Sequence, residues 1–310
     1  MAARKSLFRY RMEYVMVRML AGFVNILPYR LALFAAWCFA RVAFHVLRFR
    51  RKETLRRLEC VFGDSMTPAQ RRRTAWLSLR NLFFNAVEMM RPKMFTKEWI
   101  DKHVLGFQTQ IMPVKDLIAE KGGVVLAVPH MGDWDLAGWA CCRYGVDMFS
   151  VTGKQRNPYM NDWINRMREH GMKVLERGGG TMKQILRMLK SGGALAILPD
   201  VRVPEPDLQV PFLGGEANVG RGMAMFAIAA KVPVQSAVFR RVGWTRHEAT
   251  VFPPIMPDPA APKEEEMMRI TRTVLGYVEG EIRKTPEQWF WYNRRWILFP
   301  VRPAQDGMRK

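Results

Sequence analysis

The sequence has few cysteines and no metal-ligand spacing, and both shortages exclude classes of protein. The four cysteines are Cys38, Cys60 and the adjacent Cys141 and Cys142, so no Cys-x-x-Cys pair is present. This arrangement provides neither a disulfide framework nor a zinc site, which favours a reduced, cytosol-facing protein. The five histidines are scattered and do not have the spacing of metal ligands.

Acidic residues are also scarce. The 310 residues include 28 Asp and Glu against 49 Lys and Arg, which gives a net charge of +21. Such an excess predicts an anionic partner, either nucleic acid, anionic lipid or an acidic carrier protein. The glycines at 178–180 have neither the P-loop nor the dinucleotide-binding spacing. Because the chain has no nucleic-acid-binding motif and its basic residues lie beside apolar segments, we expect no nucleic acid partner.

Two apolar segments near the N-terminus are the longest in the chain. Residues 14–27 and 31–47 are strongly apolar, contain Arg18 and Arg41 respectively, and have basic flanks. We predict that residues 1–57 form a membrane-embedded helical segment, with one spanning or deeply embedded helix and one interfacial helix. The alternative is a buried helical hairpin of a soluble protein.

The rest of the chain, residues 58–310, predicts one α/β domain with a mainly parallel central sheet flanked by helices. Thr67 and Pro68 predict the start of a helix that runs to about Met90. Short strands and helices then alternate. The predicted strands are 123–129, 147–152, 172–176, 194–199, 232–239 and 248–252. The predicted helices are 133–144, 158–169, 179–191, 217–230 and 263–284.

One predicted strand ends in a motif with catalytic residues. The apolar run 124–128 is followed by Pro129, His130 and, after four intervening residues, Asp135. Asp133 is a good helix N-cap, which places Asp135 in the first helical turn. There we expect its carboxylate to fold back on the His130 ring and leave the second ring nitrogen as a general base. Asp200 also follows a strand end. It could support the base there, bind hydroxyl groups of a substrate or simply cap the strand.

Several motifs occur in an order that resembles a known family. They are RRKETLRRLECVFG at 50–63, HMGDWD at 130–135, the block beginning NPYMNDW at 157, GGALAILPD ending at 200, and PEQWFWYNRRW at 286–296. This order is similar to the bacterial lipid A late acyltransferases, within the glycerolipid acyltransferase superfamily. The resemblance covers most of the chain and implies a glycerolipid acyltransferase-like fold.

The resemblance also implies a reaction, which is acyl transfer from a thioester to a hydroxyl of a lipid A precursor. His130 and Asp135 would be its catalytic residues, without a covalent intermediate, metal or organic cofactor. The oxyanion would be held by backbone N–H groups around Met131 and Gly132 or by a basic side chain. The candidate substrate-binding residues are Lys154, Arg156, Arg177, Asp200 and Arg221.

The resemblance leaves the substrates open. The acyl donor is acyl carrier protein or acyl-CoA, and basicity suits both an acidic carrier and an anionic membrane. Relatives acylate other glycolipids, phospholipids or aminolipids, which are alternative acceptors. A third alternative is a non-catalytic protein that binds anionic lipid. We expect a location at the bacterial inner membrane, with the catalytic domain on its cytoplasmic face.

Overall fold

The computed structural model describes residues 2–176 and 178–298, with side chains from residue 7 onward. Its strands are β1 (Val104–Leu105), β2 (Val124–Ala127), β3 (Met148–Thr152), β4 (Lys173–Glu176), β5 (Ala194–Ile197), β6 (Leu208–Phe212), β7 (Gly215–Val219), β8 (Val234–Arg241) and β9 (His247–Val251). Its α-helices are α1 (Ala2–Ile26), α2 (Tyr29–Arg41), α3 (Arg51–Phe62), α4 (Pro68–Met89), α5 (Lys97–His103), α6 (Phe107–Lys121), α7 (Trp134–Arg143), α8 (Pro158–Arg168), α9 (Thr181–Lys190), α10 (Gly222–Ala230) and α11 (Lys263–Lys284).

Seven strands form the central sheet in the order β1-β9-β8-β2-β5-β3-β4. Every neighbouring pair is parallel except β8 and β9, so the predicted mainly parallel sheet is confirmed. Strand β2 lies between β8 and β5, where both of its edges are paired. The chain therefore leaves β2 near the middle of the sheet, and the residues that follow it emerge beside the ends of β5 and β8.

Helices cover both faces of the sheet. Val124 and Leu126 pack with apolar residues of α6 and α7, whereas Val125 and Ala127 pack with residues of α9, α10 and α11. This division follows from the alternation of side chains along a strand, and it explains why β2 reads as a continuous apolar run. The sequence analysis did not predict α5 and α6, which precede β2.

The predicted helix at 217–230 is wrong at its start. Gly215–Val219 forms β7, which pairs with β6 in an antiparallel hairpin, and α10 begins only at Gly222. Leu213 and Gly214 both have positive φ angles, of 51° and 77°, as a two-residue hairpin turn of type I′ requires.

The predicted helix start at Thr67 is confirmed by its cap. The Thr67 hydroxyl accepts a hydrogen bond from the Gln70 backbone N–H, and the Gln70 side-chain oxygen accepts one from the Thr67 N–H. Pro68 occupies the first helical position. This capping box satisfies two backbone donors that a helix start otherwise leaves unpaired. Helix α4 then packs against α2 through Leu33 and Phe84, which are fully buried.

The N-terminal helices expose a long apolar surface. Within the described residues, no single helix combines the length and hydropathy that crossing a bilayer needs, although Tyr29–Val46 and Arg51–Ser65, bent by 83°, meet both criteria as a pair. The N-terminal apolar surface consists of exposed side chains that include Phe8, Met16, Phe23, Leu31, Phe34, Phe39, Val46, Leu47 and Phe49. Membrane insertion of residues 1–57, and their separation from 58–310, stay predictions.

Candidate active site

His130 lies three residues beyond β2 and is held by Asp200. The His130 ring Nδ1 is 2.8 Å from Asp200 Oδ1, and the His130 backbone N–H donates to Asp200 Oδ2 over 2.8 Å. The indole N–H of Trp289 donates to the same Oδ2 over 2.7 Å. Burial opposes ionisation of Asp200, but the contacts with His130 outweigh it and hold the pKa of this carboxyl below its ordinary value. An ionised Asp200 accepts a hydrogen bond from Nδ1–H of His130, which keeps the ring proton on Nδ1 and leaves Nε2 with a free lone pair.

The register of two neighbouring strands explains this pairing. Ala127 of β2 lies directly opposite Ile197 of β5 in a parallel ladder. His130 and Asp200 each follow three residues later, and each comes directly after a proline. Parallel strands that end in register deliver equivalent residues to the same edge of a sheet, so the two side chains meet.

The predicted contact between Asp135 and His130 is replaced by a different one. Asp133 caps α7 as predicted, since its Oδ1 accepts from the Leu136 N–H over 2.9 Å. Asp135, in the first turn, accepts instead from Arg168 Nε over 2.9 Å. The nearby guanidinium is the stronger partner for a carboxylate at this position, and Asp200 already occupies Nδ1 of His130. Asp135 therefore positions Arg168, and Asp200 positions His130.

The turn between His130 and α7 is fixed by its backbone. Gly132 has a φ of +61°, and a Cβ atom there would lie 1.6 Å from the Phe239 carbonyl oxygen, so only glycine fits. The Gly132 N–H donates to the Gln288 carbonyl, and the Met131 N–H donates to the Pro129 carbonyl. Both backbone donors that the sequence analysis proposed for an oxyanion are thus already in use, which leaves a basic side chain for that role.

A cavity of about 800 Å³ opens beside His130. Its wall is mostly apolar, with lining residues that belong to the clusters on both faces of the sheet, among them Leu126, Phe239 and Ile111 on one face and Ile185, Met223 and Phe226 on the other. The lining also includes the cations Arg168, Arg202 and Arg295. The cavity therefore brings an apolar wall and three cations together with His130. We call the part beside His130 its mouth and the apolar remainder its channel.

Two of the other predicted substrate-binding residues, Lys154 and Arg156, lie on a loop beside this cavity. Lys154 and Arg156 are exposed, and their loop neighbours Gly153 and Gln155 line the cavity. Lys154 Nζ lies 3.5 Å from a Glu176 carboxylate oxygen. Arg177 lies outside the described residues, so its placement stays a prediction.

Arg221 is not available as a free cation. Its Nε lies 2.6 Å from Asp207 Oδ1, and its Nη1 lies 3.0 Å from Glu264 Oε1. Two carboxylates thus already contact the guanidinium, and the binding of an anionic substrate by Arg221 stays a prediction. Arg168, which the sequence analysis did not select, lines the cavity in its place.

Asp133, which caps α7 after His130, belongs to a buried network of charged side chains. Arg241 donates to Glu88 over 2.9 Å, and both side chains are fully buried. Burial disfavours ionised Glu88, yet Arg241 holds the pKa of this carboxyl well below its ordinary value. Burial, with the carboxylate of Glu88 close by, raises the pKa of Asp133 well above its ordinary value. Asp133 thus caps α7 from within this buried network, directly after the turn that follows His130.

Comparison with known proteins identifies the family. Residues 1–297 match the family model described as bacterial lipid A biosynthesis acyltransferase, and the chain belongs to this family. The prediction from the ordered motifs is confirmed at this level. No group of three or more His, Cys, Asp or Glu residues suited to a metal ion occurs in the ranges 2–176 and 178–298.

Two individual relatives are named for an acceptor other than lipid A. The chain is 24% identical over 210 residues to a phosphatidylinositol mannoside acyltransferase of Mycolicibacterium smegmatis, which covers 64% of this chain and 66% of that protein. It is 27% identical over 131 residues to a phosphatidylinositol mannoside acyltransferase of Mycobacterium tuberculosis, which covers 39% of this chain and 40% of the relative. The matched part spans less than two thirds of the length of either relative.

Proposed function

We propose that this protein transfers a fatty acyl chain from a thioester to a hydroxyl group of a membrane glycolipid, with His130 as the general base. The observation that carries the proposal is the His130–Asp200 pair at a mostly apolar cavity whose lining includes three arginines. A histidine oriented by a buried carboxylate, without a nucleophilic serine beside it in the motif, suits activation of a hydroxyl that the substrate supplies.

The proposed reaction proceeds through one tetrahedral intermediate. Nε2 of His130 removes the proton from the acceptor hydroxyl as its oxygen bonds to the thioester carbonyl carbon. Asp200 stabilises the imidazolium that forms, and a cation at the mouth, of which Arg168 is the candidate, stabilises the oxyanion. The intermediate collapses with cleavage of the carbon–sulfur bond, and the leaving thiolate takes the proton back from Nε2.

The apolar channel suits the acyl chain of the donor. Roughly 13 Å of extended backbone separates Leu126 from His130, at about 3.3 Å per residue. A thioester carbonyl at His130 would direct its hydrocarbon tail along this length and on toward Ile111 of α6. The same geometry suits acyl carrier protein and acyl-CoA, since both present the acyl group on the same kind of thioester.

For the acceptor we propose a lipid A precursor, in line with the family description. A second candidate is phosphatidylinositol mannoside, which both relatives carry in their names. Both acceptors offer a sugar hydroxyl on an anionic lipid. The N-terminal apolar surface and its basic flanks support a position at an anionic membrane, with the cavity mouth open to lipid, as at the cytoplasmic face of the inner membrane.

An assay with the purified full chain tests this proposal. Radiolabelled palmitoyl-CoA or palmitoyl acyl carrier protein is incubated with vesicles that contain either acceptor, and labelled lipid is separated by chromatography. We expect transfer to one acceptor by the wild type and a loss of at least about a hundredfold in His130→Ala. Binding of the vesicles by both proteins, with transfer by neither, would favour the non-catalytic lipid-binding alternative.

A further inference from the structure

A second, smaller opening next to the catalytic cavity has arginine at six of its nine lining residues. This arginine cleft has a volume of about 420 Å³. Its arginines are Arg50, Arg56, Arg57, Arg202, Arg294 and Arg295. Arg202 and Arg295 also line the catalytic cavity, so the cleft and the cavity share one wall. The cleft therefore lies directly beside the cavity that contains His130.

The cleft carries an excess of positive charge. Glu53 is its one acidic residue among the described residues that line it. Glu53 is committed to Arg56 and Arg57, with nitrogen–oxygen distances of 3.1 Å to each. Arg57 is buried, donates to the Trp291 carbonyl over 2.7 Å and is thereby fixed as part of the wall. The single carboxylate cannot balance six guanidinium groups, so the cleft is a strong site for an anion.

The backbone before α3 is strained in a way that brings Arg50 to the cleft. Arg48 and Arg50 have φ angles of 52° and 46°, in the left-handed region. This conformation is unfavourable for a residue that carries a Cβ atom. Arg50 Nε is buried and has no hydrogen-bond partner among the residues that the structure describes. Strain and an unsatisfied donor in one cleft are features that binding of an anionic oxygen would compensate.

The position of the cleft indicates the source of the anion. Arg50 directly follows Val46, Leu47 and Phe49, which are exposed members of the N-terminal apolar surface. Exposed apolar side chains continue here into a cluster of guanidinium groups, and this is the order in which lipid tails and lipid phosphates follow each other at a membrane surface. The donor phosphate is a second possible source, but the contact with the apolar surface favours the acceptor.

We propose that the arginine cleft binds the phosphate group of the acceptor lipid and thereby places the acceptor hydroxyl at His130. This assignment rests on the proposed acyl transfer and extends it to the substrate class, a lipid that carries a phosphate beside the sugar that is acylated. Guanidinium groups suit this ligand because they donate two parallel hydrogen bonds to phosphate oxygens.

Calorimetry on the full chain tests the cleft without acyl transfer. The probes are glucose 1-phosphate and glucose, which differ by one phosphate. The test variant is Arg50→Gln with Arg294→Gln. The matched control is Arg272→Gln with Arg283→Gln, which removes two charges from α11 and lines neither the cavity nor the cleft. We expect the wild type to bind only the phosphate, the test variant to bind it about tenfold more weakly, and the control to match the wild type.

Kinetics then identify which substrate the cleft serves. With palmitoyl-CoA as donor and phosphatidylinositol mannoside or a lipid A precursor as acceptor, the test variant should raise the acceptor KM about tenfold, more than it changes kcat. A rise in the donor KM alone would overturn the assignment to the acceptor. Equal binding of glucose 1-phosphate by the wild type and the test variant would overturn the proposal that the cleft binds phosphate. If acyl transfer still depended on His130 in that case, the proposed reaction would stand.

Discussion

Replacement of Asp200 by asparagine tests the assignment of the residue that orients His130. In the wild type, Asp200 Oδ2 accepts from the His130 N–H and from Trp289, and Oδ1 faces His130 Nδ1. The amide oxygen of an asparagine would take the Oδ2 place, because both partners there are donors. Its NH₂ group would then face Nδ1, which must become an acceptor. The ring proton moves to Nε2, and the general base is lost.

The expected magnitude follows from this change of tautomer. Asparagine keeps two of the three hydrogen bonds and reverses the direction of the third, so the free energy of unfolding should fall by only about 1–2 kcal/mol. The catalytic loss is larger, since the wrong tautomer in a histidine–carboxylate pair lowers kcat by about 10³–10⁴-fold. The acceptor and donor KM should change little, because Asp200 is buried behind the histidine.

Steady-state kinetics of Asp200→Asn are compared with those of Asp135→Asn, the same substitution in the neighbouring carboxylate. Asp135 contacts Arg168 and not the ring, so we expect its variant to lose about tenfold, partly in KM. Circular dichroism and the melting temperature confirm that both variants fold. A larger loss of kcat in Asp135→Asn than in Asp200→Asn would refute the reasoning.

The remaining predictions concern the channel, the turn and the thiols. Gly138→Leu places a side chain toward the tip of Met172 in the channel wall, so the enzyme should come to prefer a donor with a shorter acyl chain. Competition among acyl-CoAs of different length measures this preference, and an unchanged preference would mean that the acyl chain lies elsewhere. Gly132→Ala should lower the free energy of unfolding by about 3 kcal/mol or more, since it combines a clash with a left-handed φ; denaturant titration measures this, and a near-neutral result would contradict the turn geometry. Burial raises the pKa of Cys141 to about 12, so at pH 8 roughly one thiol in ten thousand is ionised. Iodoacetamide should therefore label the exposed Cys38 long before Cys141, with labelling of Cys141 rising as pH rises, and peptide mass spectrometry would detect the reverse order.

The sequence predicted the two central residues of the site but not their contact. His130 and Asp200 were both placed at strand ends, each directly after a proline in an apolar run. Their pairing depends on β2 and β5 being neighbours, although β3 and β4 lie between them in the chain. Strand order is a tertiary property, so local reasoning predicts Asp135, an acidic residue that follows His130 closely in sequence.

The errors elsewhere have similar physical causes. Arg168 lies at the end of α8, 33 residues from Asp135, and only the packing of α8 beside α7 brings the two together. The β6–β7 hairpin carried a local signal, because Leu208, Val210 and Phe212 alternate with more exposed residues before the turn at Gly214. That alternation has the period of a strand. The apolar stretch of α10, which follows, nevertheless makes the whole of 217–230 look helical.

The measurement that tests the central claim most directly is mass spectrometry of total lipids from a deletion strain that carries each variant in turn. We predict that the deletion leaves one glycolipid short of an acyl chain, that the wild-type gene and Asp135→Asn restore it, and that His130→Ala and Asp200→Asn do not. Full restoration of that acyl chain by His130→Ala, at matched protein levels, would contradict the assignment of His130 and Asp200 as the catalytic pair.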